Sequence, residues 1–168
     1  MSATIRTVLL TLSVGFALLG CDRAGDDSKS ATAAPANVSG ADPFQIVEVE
    51  NKGDLQAVLA THVAKAKEAG LQPYVEFWAD WCPPCKAIEA SMKEPAMREA
   101  FSGAYLIRLD TDHWGSKLEG SGMDAASIPV FFELDAKGKP TGRKIDGGAW
   151  GDNTPENMAP PLNAFFHP

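Results

Sequence analysis

Positive charge, cysteine and long apolar runs are all scarce in this sequence. Its 168 residues carry 15 Lys and Arg against 22 Asp and Glu, a formal charge of −7. Without clustered Lys and Arg, no nucleic-acid backbone partner is expected, and no polybasic membrane patch. The apolar stretch from Val8 to Leu19 falls short of the ~20 residues that a spanning helix needs. Cysteine is limited to Cys21, Cys82 and Cys85. A structural zinc site wants four ligands, and no second Cys pair or nearby His accompanies Cys82 and Cys85. A C-x-x-C metal module, holding Zn or Cu(I) by thiolate, is therefore the weaker reading. No metal or cofactor is expected, and no internal repeat is present.

Apolar content is ordinary, 45%, so a real core can form over one domain. Met1 to Gly20 contain one base, Arg6, and no acid. That pattern fits a secretory leader. The run ends Leu18-Leu19-Gly20-Cys21, which looks like a bacterial lipobox. The resemblance implies a signal peptide over residues 1–20 and lipidation of Cys21; the alternative is an ordinary signal peptide with a chance Cys. Several acyl chains anchor well, because each buried CH₂ contributes ~0.8 kcal/mol and one chain alone is marginal. Asp22 after the Cys resembles an inner-membrane retention signal. Residues 21–43 are rich in Ala, Ser, Gly and Asp and contain Pro35 and Pro43. They cannot bury enough surface to offset chain entropy. They read as a flexible linker with a typical end-to-end distance of about 25 Å.

From Phe44 the texture changes. Phe44 to Glu50 alternates as an edge strand does. Leu55, Val58, Leu59, Val63 and Ala66 are spaced for a helix over Asp54–Ala69, ended by Gly70. Pro73 to Ala79 is a strand with one odd acid, Glu76. Pro83 to Phe101 predicts one long helix kinked near Pro95. Ala104–Leu109 and Val130–Leu134 are strands, and Asp110–Ser127 is loop with one helical turn. Asp135–Lys139 makes a hairpin turn and Arg143–Asp146 the fifth strand. Thr154-Pro155-Glu156 starts a helix, with a cap residue and Pro at the first position. Pro160-Pro161 is expected to split that helix into two short pieces.

The chemistry centres on Trp81-Cys82-Pro83-Pro84-Cys85-Lys86. Cys82 falls at a helix N-terminus, where free N–H groups and the helix dipole lower a thiol pKa. The two-residue spacing puts the two sulfurs within bonding range. Pro83 and Pro84 preset helical φ where missing N–H groups cost little. They also remove two donors from the Cys82 thiolate, leaving the N–H groups of Cys85 and Lys86. A less stabilised thiolate pushes the couple toward reductant. Glu76, in an otherwise apolar strand, is costly unless partnered and tends to protonate; otherwise it points to solvent or pairs with a lysine.

The order β-α-β-α-β-loop-β-β-α, together with Trp81–Lys86, Ser127-Ile128-Pro129 and Gly147-Gly148, resembles the thioredoxin family over roughly residues 44–166. The implied class is α/β: a thioredoxin fold, a central mixed sheet flanked by helices. The resemblance implies that Cys82 attacks a protein disulfide and that the more buried Cys85 resolves the mixed disulfide. Glu76 stands where thioredoxins have an Asp that relays a proton, a departure in arm length. Glu89, one turn after Cys85, matches a Glu in the C-terminal domain of membrane thiol:disulfide interchange proteins. Pro129 is expected to be cis, facing the cysteines, with the Ile128 backbone pairing to the partner peptide. Trp81 would shield Cys82, and Trp78 would be core. Lys86 is a lesser tuning residue. His62, His113 and His167 receive no catalytic role, and His113-Trp114 is a candidate partner contact.

These readings point to a monomeric, membrane-tethered thiol–disulfide oxidoreductase acting on exported proteins. A reductase in an oxidising compartment needs a membrane thiol electron donor. Oxidase or isomerase action is the alternative.

Overall fold

The structure is a computed structural model and describes residues 43–168. The leader, Cys21 and the expected linker up to residue 42 lie outside the described residues. One five-stranded sheet runs in the order β1-β3-β2-β4-β5. β1 (Gln45–Glu48), β2 (Gln72–Trp78) and β3 (Ala104–Asp110) are mutually parallel. β4 (Val130–Leu134) runs antiparallel to both its neighbours, β2 and β5 (Pro140–Asp146). β1 is an edge strand, as its alternation predicts, and β2 is central.

Successive strand residues face opposite sides, and the sheet has a core on each. On one, Leu55, Leu59 and Val63 of α1 (Leu55–Glu68) meet Val75, Phe77, Ile107 and Leu109. Asp54 starts that helix by accepting from the Ala57 N–H at 2.9 Å. Gly70 ends it at φ +70°, a left-handed position that suits glycine. On the other face lie α2 (Pro83–Ser91), α3 (Pro95–Ala100) and α5 (Pro155–Phe166). Their Ile88, Met97, Met158 and Leu162 pack on Tyr74, Leu106 and Phe131. Phe131 is fully buried, its ring 5.8 Å from Phe101 and 5.6 Å from Phe166. Truncating such a side chain to Ala costs about 3–5 kcal/mol. No described helix is long and apolar enough to cross a membrane.

Two expectations need correction. The long helix over Pro83–Phe101 is two helices, α2 and α3. Glu94 takes an extended ψ of 139°, because a residue before proline is pushed out of the helical region, and Pro95 begins a new helix. The Pro160-Pro161 pair, in turn, does not split α5, which is continuous. The carbonyls these prolines leave without an N–H donor belong to Glu156 and Asn157, both exposed to solvent. The face carrying Met158, Leu162, Phe165 and Phe166 stays packed, so tertiary burial overrides the local preference. Within Asp110–Ser127 the expected helical turn is present. Asp110 caps α4 (Thr111–Trp114) through the Asp112 and His113 N–H groups at 2.8 and 3.3 Å, and a 3₁₀ turn follows over Gly115–Leu118.

Candidate active site

Cys82 is the N-cap of α2, at the C-terminal end of the central strand. Its sulfur is joined to Cys85 in a disulfide, with Cα atoms 5.3 Å apart. The Cys85 N–H points at the Cys82 sulfur from 3.2 Å. Lys86 is not a second donor to it: its N–H is taken by the Cys82 carbonyl at 3.1 Å. Pro83 and Pro84 occupy the first helical positions. One backbone donor therefore serves this sulfur.

Both cysteines are 2% exposed, so the expected difference in burial is absent. What separates them is direction. Cys82 lines a surface groove of about 600 Å³ together with Trp81, Pro83, Pro84 and Ile128, and Cys85 does not. Ile128 also packs against the two cysteines. The Ile128–Pro129 peptide bond is cis, and the Gly147 N–H donates to the Pro129 carbonyl at 3.2 Å. Trp81 is 64% exposed and lines the same groove as Cys82. Its Nε1 donates to Asp112 Oδ2 at 2.7 Å, which fixes the ring at the groove's edge. Trp78 is only half-buried, and the Arg108 guanidinium lies 4.7 Å from its ring.

Glu76 shares with Tyr74 and Trp78 the sheet face that α2 covers. It is fully buried, so the solvent-facing alternative fails, and its partner is not a lysine. Arg108 Nε donates to Glu76 Oε2 at 2.9 Å. Glu76 Oε1 has no hydrogen-bond partner. Burial raises the Glu76 pKa, and the Arg108 charge and hydrogen bond oppose that rise. Arg108 also reaches Glu48 at 3.4 Å and Glu89 at 3.6 Å. Glu89 is thus tied to Glu76 through one guanidinium, from the helix that carries the cysteines. The sequence reading missed Arg108; an opposite charge in the next apolar strand was the available signal.

Trp114, a candidate partner contact, is instead buried, its Nε1 donating to the Val49 carbonyl at 2.9 Å. His113 is exposed and lies 3.3 Å from Asp110. Among the described residues no group of three or more His, Cys, Asp or Glu is placed to hold a metal ion.

A Cys-x-x-Cys disulfide at the first turn of the helix after the central strand, with cis-Pro129 entering the neighbouring strand, defines a thioredoxin-fold thiol–disulfide oxidoreductase. The thioredoxin family model matches residues 51–152, and the chain belongs to the thioredoxin family. It is 29% identical over 92 residues to a thioredoxin H-type of Oryza sativa subsp. indica, spanning 55% of this chain and 70% of that protein. It is 30% identical over 88 residues to a thiol:disulfide interchange protein TxlA homolog of Synechocystis, 51% of this chain and 47% of that one. A disulphide isomerase structure from Xylella fastidiosa Temecula1 shares the fold, with a TM-score of 0.50 and 17% identity over 70% of this chain and 92% of that one.

Proposed function

We infer that this oxidoreductase is exported, tethered to a membrane and works as a protein-disulfide reductase. The observation that carries the oxidoreductase part of the reading is the Cys82–Cys85 pair at a helix N-terminus, with Cys82 opening on a groove; export and tethering rest on the sequence of residues 1–22. In the reduced form, the Cys82 thiolate attacks a substrate disulfide. A Cys82–substrate bond forms, and the substrate's other sulfur leaves as a thiolate and takes up a proton. Cys85 then attacks Cys82, closing the disulfide seen here and releasing the second substrate sulfur. Glu76 takes up the Cys85 proton or returns it. Ile128 and Pro129 align the substrate strand, Trp81 flanks it, and Pro83, Pro84, Lys86 and Glu89 tune the sulfurs.

The direction of electron flow rests on the single backbone donor to Cys82. A poorly stabilised thiolate disfavours the reduced form and makes the couple reducing. The match to a protein named for thiol:disulfide interchange is consistent with exchange on protein partners. In this reading residues 1–20 are a lipoprotein signal peptide, Cys21 carries the lipid, 21–43 is the tether and 44–168 the catalytic domain. Asp22 favours the periplasmic face of the inner membrane, where a membrane thiol donor can re-reduce the pair. Palmitate labelling that vanishes in Cys21→Ala is the expected sign of the anchor.

The deciding measurement is the reduction potential of Cys82/Cys85, by equilibration with glutathione or dithiothreitol buffers. A value close to −270 mV supports the reductase, on the thioredoxin scale. A value close to −120 mV overturns it in favour of an oxidase of exported proteins.

A further inference from the structure

The groove beside Cys82 has two chemistries. Its floor is apolar: Phe77, Leu118, Met123 and Ile128 line it, with Phe77 and Met123 buried. Its rim is acidic. Glu119 and Asp124 line it and are exposed, and neither has an ion-pair partner among the described residues. Asp112 adds a third carboxylate where it holds the Trp81 ring. No Lys, Arg or His lines the groove.

The surrounding cations offset this only in part. Lys117 is turned away, its Nζ donating to Asn51 Oδ1 and the Gly53 carbonyl. Lys144 donates to the Asp124 backbone carbonyl at 2.7 Å, which brings one cation close to that residue, but no cation pairs with the carboxylates of Glu119, Asp124 or Asp112 among the described residues. Lys86 is exposed on α2 outside the groove lining.

We propose that this groove selects substrate segments that carry a large apolar side chain and a Lys or Arg within about two to three residues of the attacked cysteine. The apolar side chain fills the floor between Leu118 and Met123. The base meets the acidic rim, which also steers the encounter, since rim charges act on association rate. At ~3.3 Å per extended residue, two to three residues span about 7–10 Å, which sets how far from the attacked cysteine the base can stand. The proposal rests on the oxidoreductase reading and adds to it the class of substrate.

The test uses the full chain, reduced beforehand so that its own dithiol supplies the two electrons. Three disulfide-bridged peptides differ only in having Lys, Gln or Glu two residues from the attacked cysteine, beside a constant Leu. Hydroxyethyl disulfide, small and neutral, serves as the reference substrate. Rate constants should run Lys > Gln > Glu, with Lys over Glu by about tenfold at low salt, the effect of one or two exposed charge pairs. That ratio should collapse toward one at 1 M salt, where the screening length is about 3 Å. It should also fall at least threefold in the Glu119→Gln/Asp124→Asn double variant. Replacing the peptide Leu by Ser should slow all three peptides severalfold. Equal peptide rates, or a preference for Glu, with hydroxyethyl disulfide still reduced, would overturn the selectivity and leave the oxidoreductase intact. Failure to reduce even hydroxyethyl disulfide would overturn the reading beneath it.

Discussion

Arg108 Nε donates to Glu76 Oε2 across 2.9 Å, from directly paired positions of β3 and β2. The carboxylate is fully buried and its second oxygen has no partner. Burial raises the proton affinity of Glu76 against the pull of the guanidinium, and Glu89 and Glu48 push the same way as burial. Burial works against the charge on Arg108, but the three carboxylates together more than offset it and keep the guanidinium protonated. A group that takes a proton above the ordinary carboxyl range therefore sits on the sheet face beneath the helix of the dithiol.

That shift makes stability depend on pH. Between the ordinary Glu value of 4.5 and the raised native one, the folded protein binds more protons than the unfolded chain. The stability due to this group is fully present below that window and is lost as pH rises through it. One proton sets a limit of about 1.4 kcal/mol per pH unit on the slope. Urea unfolding from pH 4 to 8 should show this decline in the native sequence and a flatter profile in Glu76→Gln. Identical slopes in the two proteins would place the titration elsewhere.

Removing the other partner should cost more. Arg108→Gln leaves Glu76 buried without its counter-charge, an arrangement that typically costs about 3–5 kcal/mol. Protonation relieves the penalty, so the loss should be larger at pH 8 than at pH 5. The double variant Glu76→Gln/Arg108→Gln should regain part of the lost stability at pH 8, because no bare charge remains. A loss independent of pH, with no recovery in the double variant, would show that the pair matters only as packing.

Arg108 also marks where reading the chain by itself stops. Asp54, the strand alternation and the C-x-x-C are local signals, and each places its element correctly. The Glu76–Arg108 pair depends on register between two strands 32 residues apart, which no local window contains. The helix break before Pro95 and the unbroken α5 divide on the same ground. Local proline chemistry decides the first; burial of Met158, Leu162 and Phe166 decides the second. The equal burial of Cys82 and Cys85 was hidden for a similar reason, because Ile128, from a distant part of the chain, packs against both.

The groove gives the two cysteines different fates on substitution. Cys82 lines it and Cys85 does not, so in the proposed mechanism the attack falls to Cys82 and the release to Cys85. Cys85→Ser should accumulate a mixed disulfide with a protein substrate, seen as a reducible mass increase. Cys82→Ser should form none. In both, turnover should drop by more than about a thousandfold, as when a nucleophile is removed. A trapped adduct on Cys85 in Cys82→Ser would reverse the assignment.

The hydrogen bonding at Cys82 yields the sharpest test of redox poise. An N-cap side chain accepts from the N–H of the second or third helical residue. Here the second is Pro84, which has none, and the third is Cys85, whose N–H points at the sulfur from 3.2 Å. Pro84→Ala restores the missing donor without removing the helix start, since Pro83 remains. A hydrogen bond to a charged acceptor is worth about 1.5–3 kcal/mol. At about 30 mV per 1.4 kcal/mol, the potential should become more positive by about 30–60 mV, with a matching fall in the Cys82 thiol pKa. Pro83→Ala frees an N–H at the first helical position, which does not point at the cap side chain, so its shift should be much smaller. Potentials measured by glutathione equilibration would decide between them. If Pro84→Ala matches the native protein, the missing donor does not set the poise, and the case for a reductase loses its structural support.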